Sequence, residues 1–368
     1  MLIASSRLLL TWSLYANSLI PQSMAFAKGS APVYEDPFDI GSGGASLTRA
    51  SQAGMIFSNP ALIPYGPGFH RWFGNESNIL VGKDSVDFVR SLQSGSGGSE
   101  SGTAAFVDKV MTTPLHAGFL NNFSYINRLF GFSTFSRNVF DIAAKKFGDT
   151  GLPAVRLRAE SYQGVAVSAA SMALTNVLSF GVTAKYLYAG EPDLAIELTD
   201  TESLQALQTP SGLRSLISPN SGYGYDAGLL LFKQGRSSDF RLALKVDDVG
   251  GTKLSGDGSL KSLKQTLSYG VAYTLHTGTD AIHCSFDYRD VQGAYGEEIF
   301  KRVRLGTKLV FRQHVGLGIG YYDGWPSYAL ELDAWLIRLT GAIYTRELGS
   351  KPGLDPRTIY SLGFTMGL

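Results

Sequence analysis

The stretch that decides the fold is residues 358–368, TIYSLGFTMGL. Every second side chain is large and apolar, namely Tyr360, Leu362, Phe364, Met366 and Leu368. The side chains between them are mostly small or polar, and in a β-strand the two sets point to opposite faces. About 9–11 residues let a tilted strand cross a bilayer, and apolar-out alternation is typical of a membrane barrel. A sandwich strand can show the same alternation, so the number and spacing of further strands must decide.

Fourteen segments from Phe69 onward have strand-like patterns. They lie near 68–82, 115–125, 128–138, 155–173, 176–190, 222–234, 238–249, 265–277, 280–292, 300–312, 313–323, 326–336, 338–348 and 357–368. In the seventh, apolar residues such as Leu242 and Leu244 alternate with Arg241 and Lys245. Charged residues at every second position indicate a wet interior and not the dry core of a sandwich.

The links between these segments alternate in length. Those after odd-numbered strands, such as 83–114 and 191–221, are long, whereas those after even-numbered strands shrink to turns such as Gly278-Thr279. Long loops at one end and short turns at the other are typical of an outer-membrane barrel. No Gly, Pro or Asn marks a turn near Ile337, so a twelve-strand count is an alternative. Helices are predicted in the long links, near 84–92, 104–111 and 201–217.

The first 27 residues have the layout of a secretory signal peptide. Arg7 precedes an apolar run from Leu8 to Ile20, and Ala25-Phe26-Ala27 supplies small residues before Lys28. We predict cleavage after Ala27, because the run is too short for a transmembrane anchor. Arg7 is the only charged residue of this leader, so 31 basic and 31 acidic residues remain. That balance gives no support to a nucleic-acid partner.

Composition favours a β-rich envelope protein and argues against a cysteine-based framework. The chain has 43 glycines, 18 tyrosines and 21 phenylalanines but one cysteine, Cys284. A single cysteine excludes an intrachain disulfide and a zinc cluster built on cysteines. No basic residue adjoins Cys284 in sequence, so we interpret it as a strand residue on an apolar face.

Residues 28–67 lack a strand pattern. Gly41, Gly43 and Gly44 predict a flexible turn with unpaired backbone N–H groups. It is not a phosphate-binding loop, because no strand precedes it and no Gly-Lys-Ser/Thr follows. A short helix is predicted from Leu47 to Phe57, ended by Asn59-Pro60, because a residue before proline avoids the helical conformation.

The same residues are predicted to fill the barrel. Eight-stranded barrels are filled by side chains, and 16–18-stranded ones leave an open channel. A barrel of fourteen strands would leak solutes without a plug. We therefore assign 28–67 as an N-terminal plug inside the lumen and 68–368 as the barrel. The alternative is a disordered periplasmic tail, in which Phe38, Ile40 and Leu47 would be costly to expose.

A family resemblance follows from the Gly-Gly-Ala-Ser segment at 43–46, then Phe57-Ser58-Asn59-Pro60-Ala61, then fourteen strands after a signal peptide. This layout resembles the FadL family of outer-membrane transporters for hydrophobic compounds, whose relatives include the PorV-type barrels of secretion systems. The resemblance implies that Asn59, Pro60 and Ala61 form a hatch motif in the lumen. It also implies diffusion of a hydrophobic ligand from a loop pocket, past the hatch, and out through an opening in the wall.

Catalysis finds little support in the sequence. The five histidines lie on separate strands without metal-ligand spacing, and no Gly-x-Ser-x-Gly elbow is present. His283, Ser285 and Asp287 share the inward face of the ninth strand, but residues two apart lie about 7 Å apart, too far for a direct proton relay. We predict no catalytic residue, no metal and no cofactor.

A basic row on the tenth strand has two interpretations. Arg302, Arg304, Lys308 and Arg312 either pair with lumen acids such as Glu331, or act as lumen anion contacts for a carboxylate ligand or headgroup.

The sequence therefore predicts an all-β, transmembrane antiparallel β-barrel in the bacterial outer membrane, surrounded by lipid. The predicted function is passive uptake of hydrophobic, fatty-acid-like small molecules. The alternative is a PorV-type barrel that acts as a scaffold for an envelope protein partner.

Overall fold

The computed structural model describes residues 33–52, 54–66, 72–85, 113–145, 154–174, 177–207 and 216–367. The predicted signal peptide, the boundary between plug and barrel at 67/68, and the loop helix predicted near 104–111 lie outside these residues, as does most of that near 84–92. Among the described residues, no helix is long and apolar enough to cross a membrane.

The described residues form a closed antiparallel barrel. The strands are β1 (Trp72–Gly82), β2 (Leu115–Ile126), β3 (Phe130–Lys145), β4 (Ala154–Ala173), β5 (Leu178–Gly190), β6 (Asp193–Glu197), β7 (Asn220–Gln234), β8 (Ser238–Asp247), β9 (Thr252–Lys253), β10 (Ser262–Leu263), β11 (Thr266–Thr277), β12 (Asp280–Tyr288), β13 (Val303–Phe311), β14 (Val315–Tyr322), β15 (Trp325–Asp333), β16 (Ile337–Glu347) and β17 (Pro356–Gly367). Fourteen of them build the wall, in which β1 pairs with β17 and β3 with β4 to close the ring. β6 pairs with the first residues of β4, and β9 pairs with β10 as a separate hairpin.

The helices within the described residues are short. They are α1 (Pro37–Gly41), α2 (Met55–Ser58), α3 (Thr201–Ala206) and α4 (Ile299–Arg302), with a 3-10 helix at Pro60–Tyr65. Residues 83–85 and 216–217 are also helical. The helix predicted over 201–217 is therefore observed in its first six and its last two residues, and 208–215 lie outside the described part of the chain.

The fourteen-strand prediction is confirmed, and the twelve-strand alternative is wrong. A turn is present before Ile337, although it contains no glycine. Trp335 adopts a φ of 68°, and the Asp333 carboxylate accepts a hydrogen bond from its backbone N–H at 2.9 Å. An aspartate at a turn can thus replace the missing glycine signal, because its side chain bonds the backbone two residues on.

The period-two pattern of β17 separates a lipid-facing from an inward-facing surface. Leu362 and Met366 are 66% and 58% exposed on the barrel exterior, whereas Ser361 and Thr365 are buried inside. The neighbouring strands repeat this division, and the free Cys284 lies on the exterior of β12. A closed barrel with an apolar exterior satisfies its backbone hydrogen bonds within lipid, as a membrane requires.

The two ends of the barrel differ as the sequence predicts. At the short-turn end, wall strands are joined by links of two to four residues, such as 278–279 and 334–336. At the other end, the loop end, the links include 191–219 and 248–265, although 323–324 is a two-residue turn.

The prediction that the third strand ends near residue 138 is wrong. β3 continues to Lys145, because residues 139–145 pair with the beginning of β4. The first residues of β4 pair on their other side with β6. These paired strands extend the wall at the loop end.

The described N-terminal residues, 33–52 and 54–66, are called the N-terminal segment below. They pack against the inward-facing side chains of the wall. The ring of Phe57 lies 5.4 Å from that of Tyr34 and 4.8 Å from that of Phe135 on β3, centroid to centroid. Both α1 and the 3-10 helix contact the wall, α1 against β14 to β16 and the 3-10 helix against β4, β5 and β7. The hydrophobic core therefore lies inside the barrel, between the segment and the wall.

Candidate functional site

The beginning of the N-terminal segment is attached to the wall by buried polar groups. The Tyr34 hydroxyl donates to Glu76 of β1 at 2.8 Å. Glu35 pairs with Arg304 of β13 and accepts from the Tyr322 hydroxyl at 3.2 Å. Burial raises the pKa of Glu35, but the surrounding arginines, Arg304 first among them, lower it by more, so the pKa lies below its usual value. Glu35 is therefore a charged partner for the wall.

Directly after Glu35 the chain forms α1, a helix that was not predicted from the sequence. Asp36 caps α1 by accepting from the Phe38 N–H at 2.6 Å, and Pro37 occupies the first turn. Aspartate followed by proline is a recognised start signal, so the sequence contained the information.

The glycine turn ends this helix, and its N–H groups are paired, contrary to the prediction. The Gly43 and Gly44 N–H groups donate to the carbonyls of Ile40 and Asp39 at 2.9 and 2.7 Å. Gly43 has a φ of 100°, and a Cβ there would lie 1.8 Å from the carbonyl oxygen of Leu305 on the wall. Glycine is thus required both by the helix end and by contact with the barrel.

The helix predicted over Leu47 to Phe57 is wrong for most of its length, since α2 begins at Met55. The backbone from Leu47 to Ser51 bonds elsewhere. The Leu47 N–H donates to Asp287 at 2.9 Å, the Thr48 carbonyl accepts from Arg241 at 3.2 Å, and the Ser51 N–H donates to Asp39 at 2.9 Å. These tertiary bonds replace the hydrogen bonds of a helix.

The Asn59-Pro60-Ala61 motif lies against β5 and β7. The fully buried Asn59 side chain accepts from the Ala61 N–H at 3.0 Å and donates to the Leu47 carbonyl at 3.0 Å. Its amide thereby starts the 3-10 helix and joins two parts of the N-terminal segment. At both contacts with the wall, the wall residue is a glycine. A Cβ at Gly228 would lie 2.0 Å from the Asn59 Oδ1, and one at Gly181 would lie 2.5 Å from the Pro60 carbonyl carbon.

The basic row of the sequence analysis is divided in the structure. Arg304 pairs with Glu35, and Lys308 pairs with Glu331 at 3.2 Å, both inside the barrel. Arg302 belongs to α4 and donates to the Asp290 carbonyl at 2.9 Å, and Arg312 lies exposed in a short turn. The four residues therefore do not form one surface.

His283, Ser285 and Asp287 each bond to different groups. His283 accepts at Nδ1 from Arg49 of the N-terminal segment, Ser285 donates to the Gly306 carbonyl at 3.4 Å, and Asp287 accepts from Leu47. Within the described part of the chain, no group of three or more His, Cys, Asp or Glu side chains is placed to hold a metal ion.

A cavity of about 400 Å³ lies between the N-terminal segment and the short-turn end of the wall. Five cationic or imidazole side chains line it, namely Arg49, Arg241, His283, Lys308 and Arg338, together with the carboxyl groups of Asp39 and Glu331. The proximity of Arg49 to Arg241 was not predictable from the sequence, because it depends on how the N-terminal segment lies against β8.

An apolar cluster occupies the loop end. Its buried members come from β3, β4, β6 and the residues of and after α3, and they are Ile142, Val155, Leu157, Ile196, Leu204 and Leu207. Nearby, Glu160 of β4 bonds Arg137 at 2.7 Å and also Arg346 of β16. The loop end therefore combines an apolar cluster with paired buried charges.

The fold is shared with solved outer-membrane channels. The chain matches a TodX monoaromatic hydrocarbon channel mutant with a TM-score of 0.53 at 11% identity, over 92% of this chain and 99% of that one. It matches the Pseudomonas putida toluene transporter TodX with a TM-score of 0.50 at 12% identity, over 92% and 99%. The Ralstonia pickettii toluene transporter TbuX gives 0.50 at 10% identity, over 91% and 97%. The chain has the fold of these channels.

The sequence comparisons do not assign the chain to a protein family. No protein-family model and no curated protein matches the chain. At identities of about a tenth, the likeness to the toluene channels shows a common fold, so membership of the FadL family stays a prediction, as do the PorV-type relation and the scaffold alternative.

Proposed function

We propose that this chain is a FadL-type channel for passive uptake of hydrophobic small molecules across the outer membrane. Its fold is that of channels described as carrying monoaromatic hydrocarbons or toluene. Its apolar exterior suits a barrel embedded in lipid. The apolar side chains at the loop end support the proposed substrate class, in which we include aromatic hydrocarbons and the fatty-acid-like compounds predicted from the sequence.

The apolar cluster at the loop end is the observation that carries this proposal. An apolar compound leaving water gains about 25 cal/mol for each Å² that it buries against such side chains. The cluster is supported by the extended pairing of β3, β4 and β6. A ligand that enters among these side chains would exchange water for apolar contacts without any covalent chemistry.

The N-terminal segment is proposed as the plug, and Asn59, Pro60 and Ala61 as its hatch. The supporting contacts are the bonds of Asn59 to both parts of the segment and its close approach to Gly228. A shift of this motif away from β5 and β7 would open space beside the wall. The fatty-acid specificity and the hatch movement both belong to this proposal.

The test measures uptake of radiolabelled toluene and oleate into vesicles that contain the purified barrel. Leu204→Gln places an amide in the apolar cluster, and we expect about tenfold slower uptake, from the loss of roughly 1.5 kcal/mol of apolar transfer energy. Glu202→Gln, on the exposed side of α3, is the matched control and should leave uptake unchanged. Uptake no faster than into empty vesicles, or equal effects of the two variants, would refute the proposal.

A further inference from the structure

We propose that the cavity at the short-turn end binds a small apolar carboxylate, with Arg49 and Arg241 holding its carboxylate group. This site is separate from the apolar cluster, and the inference stands whether or not the barrel transports hydrocarbons. It adds to the proposed transport a defined binding site for the carboxylate group of a ligand.

The charges around the cavity are unequally paired. Lys308 bonds Glu331 at 3.2 Å, and Arg338 bonds Asp333 at 3.2 Å. Neither Arg49 nor Arg241 has a carboxylate within 4 Å among the residues that the structure describes. These two guanidinium groups thus lack an ion-pair partner within the described residues, and buried charges are ordinarily paired.

The bonds of these two arginines are to neutral groups. Arg49 donates to the His283 ring, and because a guanidinium has no acceptor, His283 must accept at Nδ1 and be uncharged there. Arg241 donates to the Thr48 carbonyl at 3.2 Å, and its guanidinium lies 4.9 Å from the centre of the Phe232 ring. Its Nε is buried without a hydrogen-bond partner. Within the described residues, neither guanidinium is bonded to an anionic group.

The carboxyl groups nearest to these arginines do not neutralise them. Burial and the neighbouring Asp36 raise the pKa of Asp39 to about 8, so that this side chain is largely protonated at neutral pH. Asp239, which precedes Arg241 on β8, bonds His276 at 2.8 Å. Burial and Arg241 lower the pKa of Arg49 to about 10, which still leaves it charged. The cavity therefore keeps a net positive charge.

Part of the remaining lining is apolar, although Ser51, Gln52 and Gln313 also border the cavity. Met55, Tyr65, Ala272 and Val310 border the same space. The Tyr65 ring packs edge-on against Phe232 at 4.8 Å, so an aromatic surface adjoins the Arg241 guanidinium. A volume of about 400 Å³ lies within the range of small-molecule sites, roughly 300–1,000 Å³. The planar fork of a guanidinium matches a carboxylate with two parallel hydrogen bonds.

The experiment is calorimetric titration of the full barrel, purified in mild detergent, with benzoate as the probe and toluene as its neutral counterpart. We expect one benzoate per barrel. Arg49→Gln and Arg241→Gln should each weaken benzoate binding by roughly tenfold to a hundredfold, the effect of one charged hydrogen bond. Toluene binding should be the same in these variants as in the unaltered chain.

Arg236→Gln is the matched control, because Arg236 is exposed in a turn at the same end of the barrel. It removes the same charge, and we expect no change in benzoate binding. Arg49→Lys and Arg241→Lys retain charge but lose the fork, so they should bind with intermediate affinity. Unboiled gel mobility equal to that of the unaltered chain shows that each variant is folded.

Three results would overturn the inference. They are no benzoate binding by the unaltered barrel, equal losses in Arg236→Gln and Arg241→Gln, and tighter binding of inorganic phosphate than of benzoate. The last would assign the two arginines to a general oxyanion instead of an apolar carboxylate.

Discussion

The two ends of the lumen treat buried charge differently. At the loop end, Glu160 is shared by Arg137 and Arg346, and Asp141 is shared by His116 and Arg357. At the short-turn end, two arginines face a cavity without carboxylate partners in the described residues. The paired charges join strands of the wall, including β4 and β16, which are not neighbours, whereas the two arginines have no such pairing. Pairs also exist at the short-turn end, where Lys308 bonds Glu331, so the difference concerns Arg49 and Arg241, to which we assign the proposed ligand site.

The largest effect should come from removing the element that lies between the two ends. Deletion of residues 28–67 leaves an unfilled lumen, and we expect passive permeability to small sugars to rise about tenfold or more, as in open barrels. Liposome swelling measures the rate, and unboiled gel mobility checks that the barrel has closed. Unchanged swelling by a closed barrel would contradict the plug proposal.

The comparison of the two ends predicts unequal losses of stability. Glu160→Gln removes the carboxylate shared by two buried arginines, which should lower the free energy of unfolding by about 3–5 kcal/mol. Arg241→Gln leaves no acid unpaired and should cost about 1 kcal/mol, the value of one hydrogen bond. Urea unfolding in detergent measures both. Similar losses would show that the two ends do not differ in kind.

A smaller effect is expected where the wall approaches Asn59. In Gly228→Ala the new methyl carbon would lie 2.0 Å from the Asn59 Oδ1, and such overpacking typically costs about 1–3 kcal/mol. Gly341→Ala is the matched control, because nothing lies within 4 Å of its added carbon. Sugar permeability should rise in the first variant and not in the second. Adding Asn59→Ala should relieve the clash, so the two changes would not be additive.

The last prediction concerns pH. Burial raises the pKa of Asp39 to about 8, with Asp36 and Glu331 acting in the same direction and Lys308 and the Ser51 N–H opposing them. Its contribution to stability is therefore full below about pH 4 and is lost as pH rises through about 8. Asp39→Asn should flatten the fall in unfolding free energy between pH 5 and pH 9. The exposed Asp257→Asn should not, and equal curves for Asp39→Asn and the unaltered chain would reject the assignment.

The barrel was predictable because its determinants are local. Apolar and polar side chains alternate along each strand because one face contacts lipid and the other faces the lumen. A segment of eight or more residues is long enough to show this pattern. The turn before Ile337 was the hardest to place, since Trp335 takes a left-handed conformation that its residue type disfavours. Asp333 stabilises that turn, and this signal was available in the sequence.

The N-terminal segment was less predictable because its conformation is set by the wall. Leu47 to Ser51 have acceptable helix formers, but their backbone groups bond Asp287, Arg241 and Asp39 instead. The proximity of Arg49 to Arg241 likewise arises only when the segment lies inside the closed ring. No period or motif in the sequence encodes that contact.

Cys284 gives this barrel a native reporter of membrane depth. It is the sole cysteine of the chain, and its side chain is exposed on the exterior of β12, opposite the inward-facing His283 and Asp287. A lipophilic maleimide should therefore label the protein in a bilayer, while a sulfonated thiol reagent reacts only after detergent removes the lipid. A single attached spin label or fluorophore would then follow the insertion of the barrel without any engineered residue.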